Sequence, residues 1–171
     1  TGPGNTAVGR SALGAVIGGD YNTAVGYNAG DALTSGYTNV AIGYEALGND
    51  SQGRSTVAIG QTAASLQSLG NVDSYNTVIG AAAAYQNQVG LHNTIVGAHA
   101  GNKATGSYNT FVGSLAGKGG ETSAPFSSGG KNTAVGYNTL ALFTTGFNNV
   151  AVGYQALDAL STAYGNIGIG Y

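Results

Sequence analysis

The 171-residue chain has a net charge of −2, only 7% charged residues, no cysteine and 31 glycines. Its five basic residues are scattered, so no basic face exists to neutralise phosphates, and we expect no nucleic-acid partner. No long apolar run occurs, so we expect no membrane insertion by this segment. Frequent glycine disfavours helices, whereas 42% hydrophobic residues argue against disorder. These features predict an all-β protein.

A five-residue motif, Asn-Thr-Ala-Val-Gly in its commonest form, recurs along the whole chain. The ten copies end at Gly9, Gly26, Gly43, Gly60, Gly80, Gly97, Gly113, Gly136, Gly153 and Gly170. Most intervals are therefore 17 residues, and a fixed short period is typical of solenoids. We predict a single β-solenoid domain over residues 1–171, with about ten coils of 17 residues. Because motifs lie close to both ends, we also expect a segment of a longer chain.

Alternation along a strand places the second and fourth motif residues on one face and the third on the other. The fourth residue is Val or Ile in all ten copies, which predicts that it forms the coil interior. The third is Ala in six copies and Val78, Ile95 or Phe111 in the middle ones. This second apolar face predicts a contact with another chain. After each motif, the pattern predicts a glycine corner, a second short strand and a variable turn.

The first motif residue is Asn in nine copies, with Thr56 the exception. Such a column predicts either an amide ladder between coils or a bond from each side chain to its own turn. Both roles are structural. The predicted ladder residues are Asn5, Asn22, Asn39, Asn76, Asn93, Asn109, Asn132, Asn149 and Asn166.

Two coils are longer than the others. The interval from Gly60 to Gly80 has three extra residues, and that from Gly113 to Gly136 has six, which lie within an inserted loop at 118–130. Insertions in solenoids emerge as loops, often on the binding face. Glu121 and Phe126 are therefore candidate ligand-binding residues, and the alternative is a tolerated surface insertion.

Tyrosine recurs directly after the motif glycine, and a looser aromatic cluster precedes the motif. Tyrosine suits both stacking between coils and contact with sugars, so two interpretations stay open. The first column supplies the ligand-binding candidates Tyr27, Tyr44, Tyr137 and Tyr154, and continues to Tyr171. The second cluster is Tyr21, Tyr75, Tyr108 and Phe147.

Catalytic patterns are scarce. Glycoside cleavage needs two carboxylates at a defined separation, and the acidic residues occupy different offsets in their coils. His92 and His99 form no His-x-His pair. We therefore predict no enzyme, no catalytic residue, no metal site and no cofactor.

The motif with its following Tyr-x-Ala-Leu, and stretches such as Thr-Gly-Phe-Asn-Asn-Val-Ala-Val-Gly at 145–153, resemble a known family. They are similar to repeats of trimeric fibre proteins, namely phage tail fibres and the heads of YadA-like trimeric autotransporter adhesins. The 17-residue period and the recurrent Tyr look more like the tail-fibre repeats.

The resemblance implies a left-handed parallel β-roll in an intertwined or side-by-side homotrimer. It also implies an extracellular place, on a virion tail or a bacterial surface, and attachment to a cell-surface glycan or receptor. A structural and adhesive tail-fibre segment is the function that we expect. The alternatives are an adhesin head, a polysaccharide-degrading tail spike and a monomeric solenoid with an ice- or surface-binding face.

Overall fold

The computed structural model describes residues 2–120 and 127–171. Over those residues the regular structure consists of short strands without any helix, which confirms the predicted all-β class. The strands are β1 (Thr6–Val8), β2 (Thr23–Val25), β3 (Val40–Ile42), β4 (Val57–Ile59), β5 (Thr77–Ile79), β6 (Thr94–Val96), β7 (Thr110–Val112), β8 (Thr133–Val135), β9 (Val150–Val152) and β10 (Ile167–Ile169). We number each coil after its strand.

All ten strands form one parallel sheet in chain order, which is the topology of a β-solenoid of about nine turns. Equivalent motif residues pair across the sheet, for example Ala24 with Ala41. The two longer coils keep this register, since Thr110 still pairs with Thr133. The extra residues therefore do not shift the pairing of the strands. Parallel strands ~4.8 Å apart give a rod on the order of 45 Å long.

The predicted assignment of the two strand faces is wrong. The middle residue of each strand points into the coil: Ala24, Val78 and Phe111 have no exposed surface. The flanking residues point outward, and Val25 and Val112 are each 37% exposed. A coil of 17 residues encloses little space, so the inward position is Ala in six of the ten copies, while the flanking β-branched residues turn outward.

The interior is filled by side chains of complementary size. In four coils an Ala in the middle position is matched by a Leu six positions later, as in Ala41 with Leu47, which are both buried. Where Phe111 occupies the middle position, the equivalent later residue is Gly117, and a Cβ there would collide with the Phe111 ring. Phe111 also packs edge-on against Phe143, with ring centres 5.6 Å apart. These pairs keep the cross-section nearly constant along the rod.

The predicted second strand is absent from the described residues, because left-handed backbone interrupts it. The second and fourth residues after the motif glycine have positive φ even when they are not glycine, as Glu45 and Leu47 do, both at 52°. The motif glycine itself requires its missing side chain: Gly97 has φ 137°, and a Cβ there would overlap the Gly113 carbonyl. Neighbouring coils therefore touch through backbone alone at this corner.

Candidate functional site

The motif asparagines join each coil to the next from inside the stack. The Oδ1 atom of Asn22 accepts the backbone N–H of Asn39 at 3.0 Å and its Nδ2 atom at 3.1 Å. The Nδ2 atom of Asn22 donates to the Gly36 carbonyl of the next coil at 2.8 Å. The same pattern, with the Oδ1 atom accepting the next coil's backbone N–H, recurs from Asn5 to Asn149 wherever Asn is present. The column is thus a hydrogen-bonded spine.

Thr56 interrupts this spine, and a glutamine from the first longer coil repairs it. Gln67 is fully buried, and its Nε2 atom donates to the Thr56 hydroxyl and to the Asp50 carboxylate, at 2.9 Å each. Its Oε1 atom accepts from Asn76 Nδ2 at 3.1 Å. The sequence analysis did not identify Gln67. It could have been found from the fact that the coil after the missing Asn carries extra residues.

Two outward columns of β-branched residues run the full length of the sheet, and we call them the β-branched stripe. The second motif residues form one column, which is Thr in six coils and Val or Ile in four. The fourth residues form the other, which is Val or Ile throughout. In the middle of the rod these side chains remain partly exposed, for example Ile79 at 36%. Neither column contains a charge. The stripe is Thr6, Val8, Thr23, Val25, Val40, Ile42, Val57, Ile59, Thr77, Ile79, Thr94, Val96, Thr110, Val112, Thr133, Val135, Val150, Val152, Ile167 and Ile169.

The candidate tyrosines after the motif glycine stack along the rod in two groups. Tyr27 lies on Tyr44 with ring centres 5.4 Å apart and planes 9° apart, and the guanidinium of Arg10 covers Tyr27. At the other end, Tyr137 stacks on Tyr154 at 5.3 Å. Tyr154 in turn stacks on Tyr171 at 5.4 Å. Each ring keeps its edge in solvent. The structure therefore brings these candidates together as two short ladders, separated by four coils without an aromatic at this position.

Aromatic residues before the motif form two further stacks on the rod surface. His92 lies between Tyr75 and Tyr108, with ring centres 5.1 Å and 4.9 Å away. Phe147 stacks on Tyr164 at 5.0 Å. His92 is thus one ring of an aromatic stack, a role that the sequence analysis did not assign to it.

The base of the inserted loop is held closed by one serine. Ser127 Oγ donates to the Phe143 carbonyl at 2.6 Å and accepts the Gly120 N–H at 3.0 Å. The candidates Glu121 and Phe126 lie outside the described residues. Their proposed role stays a prediction.

Two carboxylates that the sequence places at unrelated offsets share one polar cavity. Asp31 and Glu45 line a volume of about 230 Å³ together with Asn28, Asn49 and Ser65. Partial burial, reinforced by the charge of Glu45, raises the pKa of Asp31 above its usual value of 3.8. A hydrogen bond with Glu45 likewise raises the pKa of the Tyr44 hydroxyl.

The described residues contain no cluster of three or more His, Cys, Asp or Glu side chains arranged for a metal ion. Within the same part of the chain, no helix has the length and hydropathy needed to cross a membrane. Comparison of the chain with protein-family models, with curated proteins and with solved structures found no match.

Proposed function

We propose that this chain is a structural and adhesive segment of a homotrimeric surface fibre, which attaches a virion tail or a cell to a partner surface. The observation that carries the proposal is the β-branched stripe. It is continuous over ten coils and uncharged, and fourteen of its twenty residues are Val or Ile, on a rod whose interior is already filled by other side chains. Exposed apolar surface of this extent typically marks an interaction site.

The occupant of the stripe is a second copy of the chain. A partner that contacts every coil must repeat at the strand spacing of ~4.8 Å, and another copy of this solenoid has that repeat. The β-branched side chains are rigid at χ1, so little side-chain entropy is lost when they pack. Covering the exposed fraction of ten Val or Ile residues stabilises the contact by on the order of 10 kcal/mol per chain.

Three chains around one axis follow from the resemblance to trimeric fibre repeats, and closed symmetry leaves no stripe uncovered. In this arrangement the asparagine spines and the backbone ladder stiffen each chain. The tyrosine ladders then remain on the outside, in three copies. Three identical surfaces on one fibre raise attachment strength through effective concentration. A bacterial adhesin head would use the same geometry.

Two aspartate variants test the stripe against a matched position. Val112→Asp places a charge in the proposed seam, whereas Val89→Asp makes the same change at a 63% exposed residue outside it. We expect Val112→Asp to dissociate the assembly to single chains and Val89→Asp to leave its mass unchanged, since only the first buries an unpaired charge. Equal masses for both variants, with folding intact, would refute the seam.

The outward Thr and Val columns also favour a second candidate, a monomeric solenoid whose flat face orders water. A column that mixes Thr with Val would suit a packed core, whereas the structure has that column at the surface. A chain that stays monomeric and inhibits ice recrystallisation, with the inhibition lost in Val112→Asp, would replace the fibre proposal. The uniform Val and Ile column favours the fibre.

A further inference from the structure

The two aromatic stacks before the motif end on either side of coil 8. One face of Tyr108 is covered by His92, and one face of Phe147 is covered by Tyr164. Because the stacks run along the rod, the other faces of Tyr108 and Phe147 are directed towards coil 8. The residues there are Gly130 and Lys131, which carry no ring. Together with Ser107, these four residues line a cavity of about 290 Å³, which we call the slot.

The dimensions of the slot fit one additional ring. Tyr108 and Phe147 belong to coils 7 and 9, which are two coil spacings, or roughly 10 Å, apart. Measured along the rod, one ring at the level of coil 8 would lie one coil spacing, roughly 5 Å, from the level of each ring. Neighbouring rings in the existing stacks are a similar 4.9–5.1 Å apart.

The floor of the slot is kept open by Gly130. A Cβ at this position would lie 2.6 Å from the Ser107 carbonyl oxygen, so no larger residue is accommodated without a shift of the backbone. Coils 9 and 10 carry Phe147 and Tyr164 at the equivalent place.

The residues that line the slot indicate which kind of ring it would bind. Tyr108 and Phe147 are 57% and 43% exposed, so their faces are available for the C–H groups of a sugar. The Lys131 side chain adds one positive charge, and none of the described residues that line the slot carries a carboxylate. We propose that the slot binds an acidic pyranose of a surface glycan, with the sugar ring between Tyr108 and Phe147 and its carboxylate against the Lys131 ammonium. This inference rests on the attachment function proposed above but not on the number of chains.

The test uses defined probes and a variant that fills the slot. Amide chemical shifts of the intact protein are followed during titration with tetragalacturonate and with sialyllactose, and with neutral maltotetraose as the control ligand. Lys131→Tyr extends the Tyr75–His92–Tyr108 stack by one rung. Position 131 has φ 58°, between the 50° of Tyr75 and the 63° of Tyr108, so a tyrosine is compatible with the backbone there.

The proposal predicts shifts at Gly130 and Lys131 with at least one acidic probe at millimolar concentration. Phe147→Ala lowers the affinity about tenfold, as loss of one ring contact does. Lys131→Gln removes the preference for acidic over neutral sugar, and Lys131→Tyr abolishes binding while the melting temperature is kept. Leu142→Ala, which removes a similarly exposed apolar side chain that does not line the slot, is the matched control and leaves the affinity unchanged.

Three outcomes would overturn the proposal. The first is the absence of shifts in the slot with both acidic probes. The second is equal binding of maltotetraose and the acidic sugars by the wild-type protein. The third is a change of assembly mass in Phe147→Ala, which would assign the slot to a contact between chains. The solution mass of the wild-type protein is measured separately, so failure of the slot and failure of the fibre proposal are distinguishable.

Discussion

Replacing one spine asparagine tests whether hydrogen bonds between coils hold the rod together. Asn39 is buried, its Oδ1 atom accepts the Thr56 N–H at 3.0 Å, and its Nδ2 atom donates to the Gly53 carbonyl at 2.8 Å. Asn39→Ala leaves both of these buried backbone groups without a partner. Each unsatisfied buried group costs about 1–3 kcal/mol, so we expect a loss of about 4 kcal/mol in the free energy of unfolding.

The control is the last asparagine in the same column. Asn166 is only partly buried, and its Nδ2 atom bonds to Asn149 Oδ1 and the Tyr164 carbonyl, while no later coil depends on its Oδ1 atom. We expect Asn166→Ala to cost about 1 kcal/mol. Unfolding in urea at one fixed protein concentration, followed by circular dichroism, measures both values. Equal losses for the two variants would show that water replaces the spine and would refute the reasoning.

Three further predictions concern the corner, the interior and the acidic cavity. Gly97→Ala forces a Cβ onto the carbonyl of the next coil and should prevent stable folding, whereas Gly18→Ala, with no heavy atom within 4 Å, should leave the melting temperature unchanged. Phe111→Ala opens a cavity in the interior and should lower the free energy of unfolding by about 3–5 kcal/mol in the urea assay. The pKa of Asp31 is raised in the folded protein, so the protonated carboxyl group stabilises the fold. This stabilisation is fully present below about pH 3.8 and is lost as pH rises through the folded-state pKa. Asp31→Asn should therefore be more stable than the wild-type protein at pH 7 and equal to it at low pH, and a difference that persists in acid would contradict this.

The period and the composition were enough to predict an all-β solenoid, although not that each coil would contain a single strand. A motif that returns every 17 residues leaves few other ways to bury its apolar residues, and glycine at each corner agrees with that fold. The asparagine column was visible for the same reason. The bonding partners of these asparagines could not be predicted, because a ladder between coils and a bond within the turn both require Asn at the same position of the repeat.

The direction of the strand faces could not be read from alternation alone. Alternation shows which residues share a face, but not which face turns inward. Hydrophobicity pointed to Val and Ile as the interior, whereas the narrow coil admits the smaller Ala. A usable signal was present in the pairing of sizes: Ala41 precedes Leu47 by six residues, and Phe111 precedes Gly117 by the same interval. Such compensation is expected only of side chains that share a closed volume.

The slot at coil 8 depends on relations between coils that a single sequence does not display. Tyr108 and Phe147 are 39 positions apart and occupy different offsets before their motifs. Because six extra residues lie between β7 and β8, the sequence separation does not show that Tyr108 and Phe147 are only two coils apart. Only the paired register of β7, β8 and β9 brings them to the two sides of Gly130.

The measurement that tests the central claim most directly is the absolute mass of the wild-type protein, by light scattering on a sizing column at micromolar concentration. A β-branched stripe covered by other copies predicts three times the chain mass of 16.8 kDa. A single chain mass under these conditions would contradict the trimeric fibre and would leave the stripe facing water.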